Sequence, residues 1–254
     1  MDILTTIKQQ LHTDFFDLTV VNEIDSTNRV VKQWGKEGKP QGAVLIAHSQ
    51  TAGRGRLGRS FYSPKSGIYF SILLRPRLSP QDTLRLTTAA AVAVADSLGE
   101  QAQIKWVNDI YLHGKKVCGI LTESAFSGEK TDYAVVGIGL NLCKPQGGFP
   151  SELSEIAGAI FETAPTEEQV ANLVGEILMR FEKAYQNLFD ATLFETYQKR
   201  NLLQGKPVTV GTLNGVVVGI NEDFALLIKE QSGQIQTVQA GEATIGSAAF
   251  KENV

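Results

Sequence analysis

The sequence predicts an α+β fold in which a large, mostly antiparallel mixed sheet is flanked by helices and followed by a small β-barrel. Short links such as His113-Gly114 join consecutive strand-like segments, which favours antiparallel neighbours. Helical segments alternate with these strands until Gln204-Gly205, after which only short alternating strands follow. We therefore predict two domains, spanning residues 1–203 and 204–254.

The first half of the chain alternates helices and strands. In order, the pattern predicts a helix over 2–12, a strand over 17–24, a helix over 27–37 and strands over 42–48 and 67–76. Another helix follows, with Ser79 as the N-cap, Pro80 in the first turn and Gly99 at its end. Its many alanines predict close packing against the sheet.

The second half begins with strands in quick succession. We expect strands over 104–112, 115–124 and 132–142, a weakly ordered segment over 144–163, and helices over 165–189 and 191–202. In the C-terminal part, Asn214-Gly215, Glu222-Asp223 and Ser232-Gly233 separate the strands. Asn-Gly between two apolar runs is a strong hairpin signal, so we predict a turn at Asn214-Gly215.

Composition narrows the class of protein. The chain has 254 residues, 43% of them hydrophobic, and a net charge of −3, as in an ordinary globular protein. Nucleic-acid binding would need a surplus of clustered basic residues, which is absent. No secretory signal or membrane-length apolar run is present, and Cys118 and Cys143 stand apart. We expect a cytoplasmic protein with no nucleic-acid or membrane partner and no tightly bound metal.

The segment TAGRGRLGRS, residues 51–60, combines three arginines with three glycines. It contains G-x-G-x-x-G, but a dinucleotide site needs a helix directly after the motif, and Pro64 and Gly67 stand there instead. Glycines let backbone N–H groups turn toward an anion, and arginine binds phosphate in a bidentate manner. We interpret residues 51–60 as a phosphate-binding loop that closes over a ligand; a merely solvated loop is the alternative.

Four further motifs carry polar residues at the ends of predicted elements. DSTN (25–28) suits a helix N-cap or a binding site, and KWVND (105–109) suits a turn or a binding site. KKVCGIL (115–121) places a lysine before a buried strand. GIGLN (137–141) has glycines inside a strand, where they permit close approach of a ligand or another backbone.

In this order and spacing, the motifs together with Gln50 resemble the biotin protein ligases over about residues 20–250. The resemblance implies a class II synthetase-like catalytic domain of the biotin/lipoate ligase type and a C-terminal SH3-like barrel. It implies an enzyme that uses ATP and Mg²⁺ to convert biotin to biotinyl-5'-AMP and pyrophosphate. Biotin would then pass to a lysine of a biotin carboxyl carrier domain of a biotin-dependent carboxylase. A homodimer is compatible with the resemblance.

The resemblance also implies roles for individual residues. The catalytic residues would be Lys116, Arg54 and Arg56. The biotin site would comprise Ser26, Thr27, Asn28, Gln50, Arg54, Gly55, Arg56, Lys116, Gly119 and Gly137. The nucleotide site would comprise Arg56, Arg59, Phe61, Lys105, Asn108, Asp109, Lys116, Gly139 and Asn141, with Asp109 also near Mg²⁺. Phe61 and Val107 depart from the tryptophan and proline that are common in the family.

Alternatives remain open at this point. A lipoate–protein ligase would share the architecture and the adenylate chemistry, although the glycine–arginine loop and KWVND favour biotin. A regulatory protein that senses biotin or its adenylate would not need Lys116, Arg54 and Arg56 together. Only about 20 residues precede DSTN, so we expect a ligase without operator binding.

Overall fold

A computed structural model describes residues 3–246. The larger sheet has seven strands in the order β1-β2-β3-β7-β6-β5-β4. These strands are β1 (Asp17–Ile24), β2 (Ala43–Gln50), β3 (Gly67–Leu74), β4 (Gln103–Lys105), β5 (Asp109–Leu112), β6 (Lys115–Ser127) and β7 (Lys130–Asn141). Only β1 and β2 pair in parallel, which confirms the mixed, largely antiparallel sheet.

Five helices accompany this sheet in residues 3–246. They are α1 (Ile3–Gln10), α2 (Thr27–Lys36), α3 (Leu84–Ser97), α4 (Glu167–Gln186) and α5 (Ala191–Lys199). Helix α3 packs against α4, α5 and one face of the sheet, while α2 covers β2, β3 and β7. Every residue of β3 is buried because both faces of the sheet are covered.

The C-terminal strands form a separate antiparallel sheet in the order β11-β10-β9-β8-β12. They are β8 (Pro207–Val210), β9 (Leu213–Ile220), β10 (Leu226–Lys229), β11 (Ile235–Val238) and β12 (Thr244–Ile245). This arrangement is consistent with an SH3-like domain. Val217 of this sheet and Phe224 in its β9–β10 turn belong to the same apolar core as α5 and the seven-stranded sheet.

The predicted turn at Asn214-Gly215 is wrong. The β8–β9 hairpin turns at Gly211-Thr212, where Gly211 has a φ of +59° and Val210 pairs with Leu213. Gly215 lies inside β9, and a Cβ atom there would come within 2.4 Å of the Lys229 carbonyl oxygen. Gly215 is therefore explained by the close approach of β10, not by a turn.

The predicted continuous strand over 104–112 is also wrong. The chain turns at residues 106–108, so that β4 and β5 pair with each other in an antiparallel hairpin. The buried Trp106 indole Nε1 donates a hydrogen bond to the Phe224 carbonyl oxygen at 2.8 Å, and the Tyr197 hydroxyl donates to the Val107 carbonyl oxygen at 3.1 Å. These distant partners fix the turn, and local strand propensity does not reveal them.

The N-terminus of α3 differs from the prediction in a smaller way. A short 3₁₀ turn, Gln81–Thr83, precedes α3, and Thr83 is the N-cap residue without a side-chain capping bond. Ser79 instead exchanges hydrogen bonds with Asp82, whose backbone N–H donates to the Ser79 hydroxyl at 3.3 Å. Ser79 therefore contacts the 3₁₀ turn, whose N-cap residue is Pro80, and does not cap the α-helix.

Candidate active site

The first wall of the cavity forms where β1 and β2 end side by side. Parallel pairing places Ile24 opposite Gln50, so that the chain leaving β1 enters α2 next to the Gln50 side chain. Ser26 caps α2, and the Gln50 Oε1 atom accepts hydrogen bonds from the Thr27 backbone N–H at 2.8 Å and hydroxyl at 3.0 Å. The DSTN segment therefore both caps α2 and forms part of the cavity wall.

A buried hydrogen-bond network continues this wall across the sheet. Ser71 on β3 is fully buried, and its Oγ atom lies 2.6 Å from Asn28 Oδ1 and 2.8 Å from Thr27 Oγ1. Asn28 rests on Gly137, where an added Cβ atom would come within 1.8 Å of Asn28 Oδ1. A glycine is needed at 137 because Asn28 occupies the space of a side chain.

The glycine–arginine loop covers the cavity. At its base, the backbone N–H groups of Thr51 and Ala52 donate to the carbonyl oxygens of Ile24 and Asp25 at 2.9 and 2.8 Å. At its neck, the Phe61 N–H donates to the Gly53 carbonyl oxygen at 2.9 Å. The cavity lining includes residues from both sides of this neck, so the loop is closed in this structure.

Each loop arginine is tied to a different part of the molecule. An Arg54 Nη1 atom lies 3.3 Å from a Glu123 carboxylate oxygen on β6. Arg56 donates to Asn108 Oδ1 at 2.9 Å and to the Gly241 carbonyl oxygen at 3.1 Å. Arg59 forms an ion pair with Glu242 and donates to it at 2.8 Å. The loop is therefore attached to β6, to the β4–β5 turn and to the segment before β12.

Phe61 lies across two strands of the sheet. Gly119 on β6 and Gly139 on β7 are opposite each other in register, and added Cβ atoms there would come within 2.7 and 2.6 Å of the Phe61 ring. The ring also packs edge-on against Tyr69, with centroids 6.3 Å apart. These two glycines thus leave a flat slot that the aromatic ring fills.

Lys116 lies opposite this slot, paired with a carboxylate. Its Nζ atom is 2.7 Å from Asp109 Oδ1 and 5.9 Å from the centroid of the Phe61 ring. Asn108 orients this region because its amide donates to the Ile120 carbonyl oxygen at 2.8 Å and to Asp109 Oδ1 at 3.2 Å. The side chains of Lys116 and Asp109 are about one-quarter exposed, so both can reach a ligand in the cavity.

The cavity carries an excess of positive charge. Among residues 3–246, five basic side chains line it, but only two carboxylates do, Asp109 and Glu242. The Arg59 guanidinium holds the pKa of the Glu242 carboxyl below its usual value, which keeps that group ionised. A polar wall at one end and clustered cations at the other suit a ligand with a small polar head and an anionic group.

Comparison with known proteins agrees with this geometry. The profile of the biotin/lipoate A/B protein ligase family matches residues 20–141. A bifunctional ligase/repressor BirA of Bacillus spizizenii is 34% identical over 238 residues, covering 88% of this chain and 72% of the relative. A biotin–[acetyl-CoA-carboxylase] ligase of Paracoccus denitrificans is 30% identical over 240 residues, covering 87% and 98%. The chain belongs to the biotin protein ligase family.

A solved structure of a family member shows the same architecture. The biotin protein ligase from Aquifex aeolicus, in complex with biotin and ATP, superposes with a TM-score of 0.74 at 29% sequence identity. The match covers 91% of this chain and 98% of that chain. The similarity therefore extends through both sheets and is not confined to the family profile.

The structure brings together nearly all residues that the sequence predicted for this biotin protein ligase site. The predicted residues that line the cavity are Ser26, Thr27, Asn28, Gln50, Arg54, Gly55, Arg56, Arg59, Phe61, Lys105, Asn108, Asp109, Lys116, Gly119, Gly137 and Gly139. Asn141 does not line it; its amide donates to the carbonyl oxygens of Lys116 and Gly158 at 3.4 and 3.0 Å. The ligand-binding roles of all these residues stay predictions.

Eight further residues line the cavity to which the sequence analysis assigns no role. Six of them lie inside the motifs, namely Leu57, Ser60, Trp106, Ile120, Leu121 and Ile138, and two lie outside them, Tyr69 and Glu242. Tyr69 and Ile138 belong to buried strands and look like core residues in the sequence. Glu242 comes from the segment before β12, nearly two hundred residues away from its partner Arg59, so no local motif joins the two.

The residues described do not form a resident metal site. Among residues 3–246, no three His, Cys, Asp or Glu side chains converge to hold a metal ion. Asp109 is one carboxylate in the cavity, and it is engaged with Lys116. Mg²⁺ in nucleotide sites is commonly held by one or two carboxylates plus substrate phosphates. The site therefore fits Mg²⁺ that arrives with ATP as part of the substrate.

Crossing a bilayer would need a longer apolar helix than any that residues 3–246 provide.

Proposed function

We propose that this protein is an ATP-dependent biotin–protein ligase that forms biotinyl-5'-AMP and transfers biotin to a lysine of a biotin carboxyl carrier domain. The observation that carries the proposal is the closed loop: three arginines cover a cavity whose other end is a buried polar wall. The Aquifex aeolicus relative that shares this fold is in complex with biotin and ATP. Magnesium would enter as the Mg²⁺ complex of ATP.

The first step joins two anions and therefore needs positive charge. A biotin carboxylate oxygen attacks the α-phosphorus of ATP, the bond from that phosphorus to the bridging oxygen breaks, and pyrophosphate leaves. We assign Lys116, Arg54 and Arg56 to the neutralisation of the carboxylate and of the charge that develops on the phosphate. Orientation of bound reactants lowers such a barrier by about 7–11 kcal/mol at most.

The biotin head group would lie against the polar wall. Thr27, Asn28 and Gln50 are held by one another and by Ser71, so they present fixed donors and acceptors to a ligand. A preorganised wall loses little side-chain freedom on binding. This wall is at the end of the cavity formed by α2 and β7, away from the C-terminal sheet.

In the second step the acceptor lysine attacks the acyl carbon of biotinyl-AMP. The new C–N bond forms, the C–O bond to phosphate breaks with its electron pair, AMP leaves and the amine loses one proton. The mixed anhydride is sensitive to water, and a closed loop excludes water until the lysine arrives.

The decisive experiment is mass spectrometry of a biotin carboxyl carrier domain after incubation with the protein, ATP, Mg²⁺ and biotin. We expect the mass of one biotinyl group to be added to one lysine. Parallel reactions with lipoate in place of biotin test the lipoate–protein ligase, which would modify its acceptor with lipoyl instead. A protein that binds biotin and ATP tightly but leaves every acceptor unmodified would be a sensor, contrary to the proposal.

Oligomeric state and location are separate proposals. We propose a homodimer, because dimers are common in the fold family that the sequence resembles. We propose that it works in the cytoplasm, where ATP is found. Light scattering during size exclusion, with and without biotin and ATP, measures the mass of the particle in solution.

A further inference from the structure

Glu123 is a carboxylate with three partners drawn from two other segments of the chain. One carboxylate oxygen lies 3.1 Å from Lys32 Nζ and 3.3 Å from Arg54 Nη1. The other accepts a hydrogen bond from the Asn28 amide at 3.2 Å. Glu123 does not itself line the cavity, but Asn28 and Arg54 do.

The surroundings of Glu123 distinguish it from a surface ion pair. Its side chain is only 16% exposed, whereas Lys32 and Arg54 are 38% and 48% exposed. Burial by itself raises the pKa of the Glu123 carboxyl, yet hydrogen bonds from Asn28 and Lys32 outweigh this effect and hold the pKa below its usual value. A largely enclosed carboxylate with several partners resists displacement, since moving it would leave a charge unpaired.

Glu123 contacts residues on both sides of the ligand cavity. Asn28 belongs to the polar wall on α2, and Arg54 is the first arginine of the loop. The Asn28 amide is also bonded to the Leu121 carbonyl oxygen at 3.2 Å, so β6 holds this side chain at two places. Arg54 is half-exposed, and among the described residues its only ionic partner is Glu123.

We propose that Glu123 is a positioning residue of the reaction: its carboxylate fixes the Arg54 guanidinium relative to Asn28 and so sets the closed position of the loop over the biotin end of the cavity. This inference rests on the proposed function, because its first test measures the release of biotinyl-AMP. Glu123 touches neither biotin nor ATP; it acts through Arg54.

The test is a double-mutant cycle on the release of biotinyl-AMP. Glu123→Gln keeps the size of the side chain but removes its charge, and we expect biotinyl-AMP to dissociate about tenfold faster, as for the loss of one charge-assisted contact. Arg54→Gln should release biotinyl-AMP at least as fast, because it removes the proposed ligand contact of Arg54 as well. The double variant should be no faster than Arg54→Gln alone, because Glu123 acts only through Arg54.

Two controls separate positioning from a general loss of structure. Glu129→Gln makes the same chemical change at an exposed site in the β6–β7 turn and should release biotinyl-AMP at the wild-type rate. Urea unfolding of each variant shows whether the fold is intact. Additive effects of Glu123→Gln and Arg54→Gln, or a wild-type rate for Glu123→Gln in a folded protein, would overturn the proposal.

A second measurement does not depend on turnover. Hydrogen exchange of the backbone amides over residues 53–60 reports the opening of the loop, and Arg54→Gln changes an accessible side chain that the fold does not need. We expect faster exchange over these residues in Arg54→Gln than in wild type and no change in β3. Unchanged exchange overturns the role of the Glu123–Arg54 contact, whether or not the wild-type protein forms biotinyl-AMP.

Discussion

At the scale of single residues, the position of Lys116 is set by a neighbouring carboxylate. Its Nζ atom is 2.7 Å from Asp109, and the pairing of β5 with β6 places the two residues at the same end of the cavity. Asp109 therefore holds the charged Nζ atom of Lys116 in one orientation at the cavity. An incoming carboxylate and phosphate would compete with Asp109 for it.

Replacing Lys116 tests this role. Lys116→Ala should reduce biotin-dependent release of pyrophosphate by about 100-fold or more, the loss typical of removing a group that stabilises transition-state charge. Lys115→Ala is the matched control, because Lys115 points to solvent and contacts Glu155. Near-normal pyrophosphate release by Lys116→Ala would remove Lys116 from the chemistry.

Gly139 gives a second prediction at this scale. An alanine Cβ atom at position 139 would lie 2.6 Å from the Phe61 ring, so Gly139→Ala should lower the free energy of unfolding by about 1–3 kcal/mol. Gly219→Ala on β9 is the control, since its Cβ atom would meet its nearest neighbour at 3.9 Å. Urea denaturation measures both. The cost at 139 should shrink in a Phe61→Ala background; an equal cost in both backgrounds contradicts the slot that Phe61 occupies.

At the scale of elements, the loop over residues 51–60 is stabilised by partners outside itself. Its three arginines contact β6, the β4–β5 turn and the segment before β12. The Arg59–Glu242 ion pair is exposed, and such pairs contribute about 0.2–1 kcal/mol each, so this pair holds the loop less firmly than the contact of Arg54 with Glu123 does. Closure is therefore shared, and it can be weakened in steps.

Arg56→Gly tests one of these steps. We expect biotinyl-AMP still to form but to dissociate faster. The substitution removes the hydrogen bonds to Asn108 and to the Gly241 carbonyl oxygen, together with the proposed contact to the phosphate. Stopped-flow measurement of adenylate release gives the rate. Dissociation at the wild-type rate would show that Arg56 has no part in retaining the intermediate.

The sequence predicts elements well where the signal is local. The residue type of Ser26 indicates a cap of α2, and each cavity motif is visible in the sequence because it is a short contiguous segment. Local signals mislead at Asn214-Gly215, where the decisive partner is Lys229. At Trp106 they conflict, because KWVND suits a turn but the apolar pattern predicts a continuous strand, and the partner that fixes the turn is Phe224. Ser71, Glu123 and Glu242 escaped prediction for the same reason, since each contacts the site from a distant part of the chain.

At the scale of the whole molecule, one apolar core joins both sheets. Phe224 packs edge-on against Phe194 and Tyr197 of α5, with ring centroids 5.8 and 5.3 Å apart. Trp106 is hydrogen-bonded to the same residue. The division into domains 1–203 and 204–254 stays a prediction, and these contacts favour two units that depend on each other.

Deleting residues 204–254 tests that dependence. We expect the remaining chain to lose cooperative unfolding in urea, because Trp106 and Tyr197 would be exposed to water. A milder comparison uses Val217→Ser and Val218→Ser, adjacent positions of β9 that are 0% and 38% exposed. Only Val217→Ser should lower the urea concentration at the unfolding midpoint, and the protein should still unfold in one cooperative transition. A cooperative transition in the truncated chain would show that the first 203 residues fold alone.

Acid should weaken the whole fold through two carboxyls. The pKa values of Glu123 and Glu242 are lowered from the ordinary 4.5. Their contribution to stability is complete above that value and is lost as the pH falls through the lowered pKa. We expect the melting temperature to drop as the pH falls below about 4.5, and to drop less steeply in Glu123→Gln than in Glu129→Gln. Equal slopes would contradict an ion pair at Glu123.

The anchoring of Thr51 and Ala52 to the end of β1 limits how the site can open. Since Phe61 is bonded to Gly53 across the neck, the part free to swing is the arc from 54 to 60. Seven residues folded back on themselves reach about 12 Å. In the proposed reaction this short arc would uncover only one end of the bound adenylate, and the acceptor lysine would enter through that narrow opening.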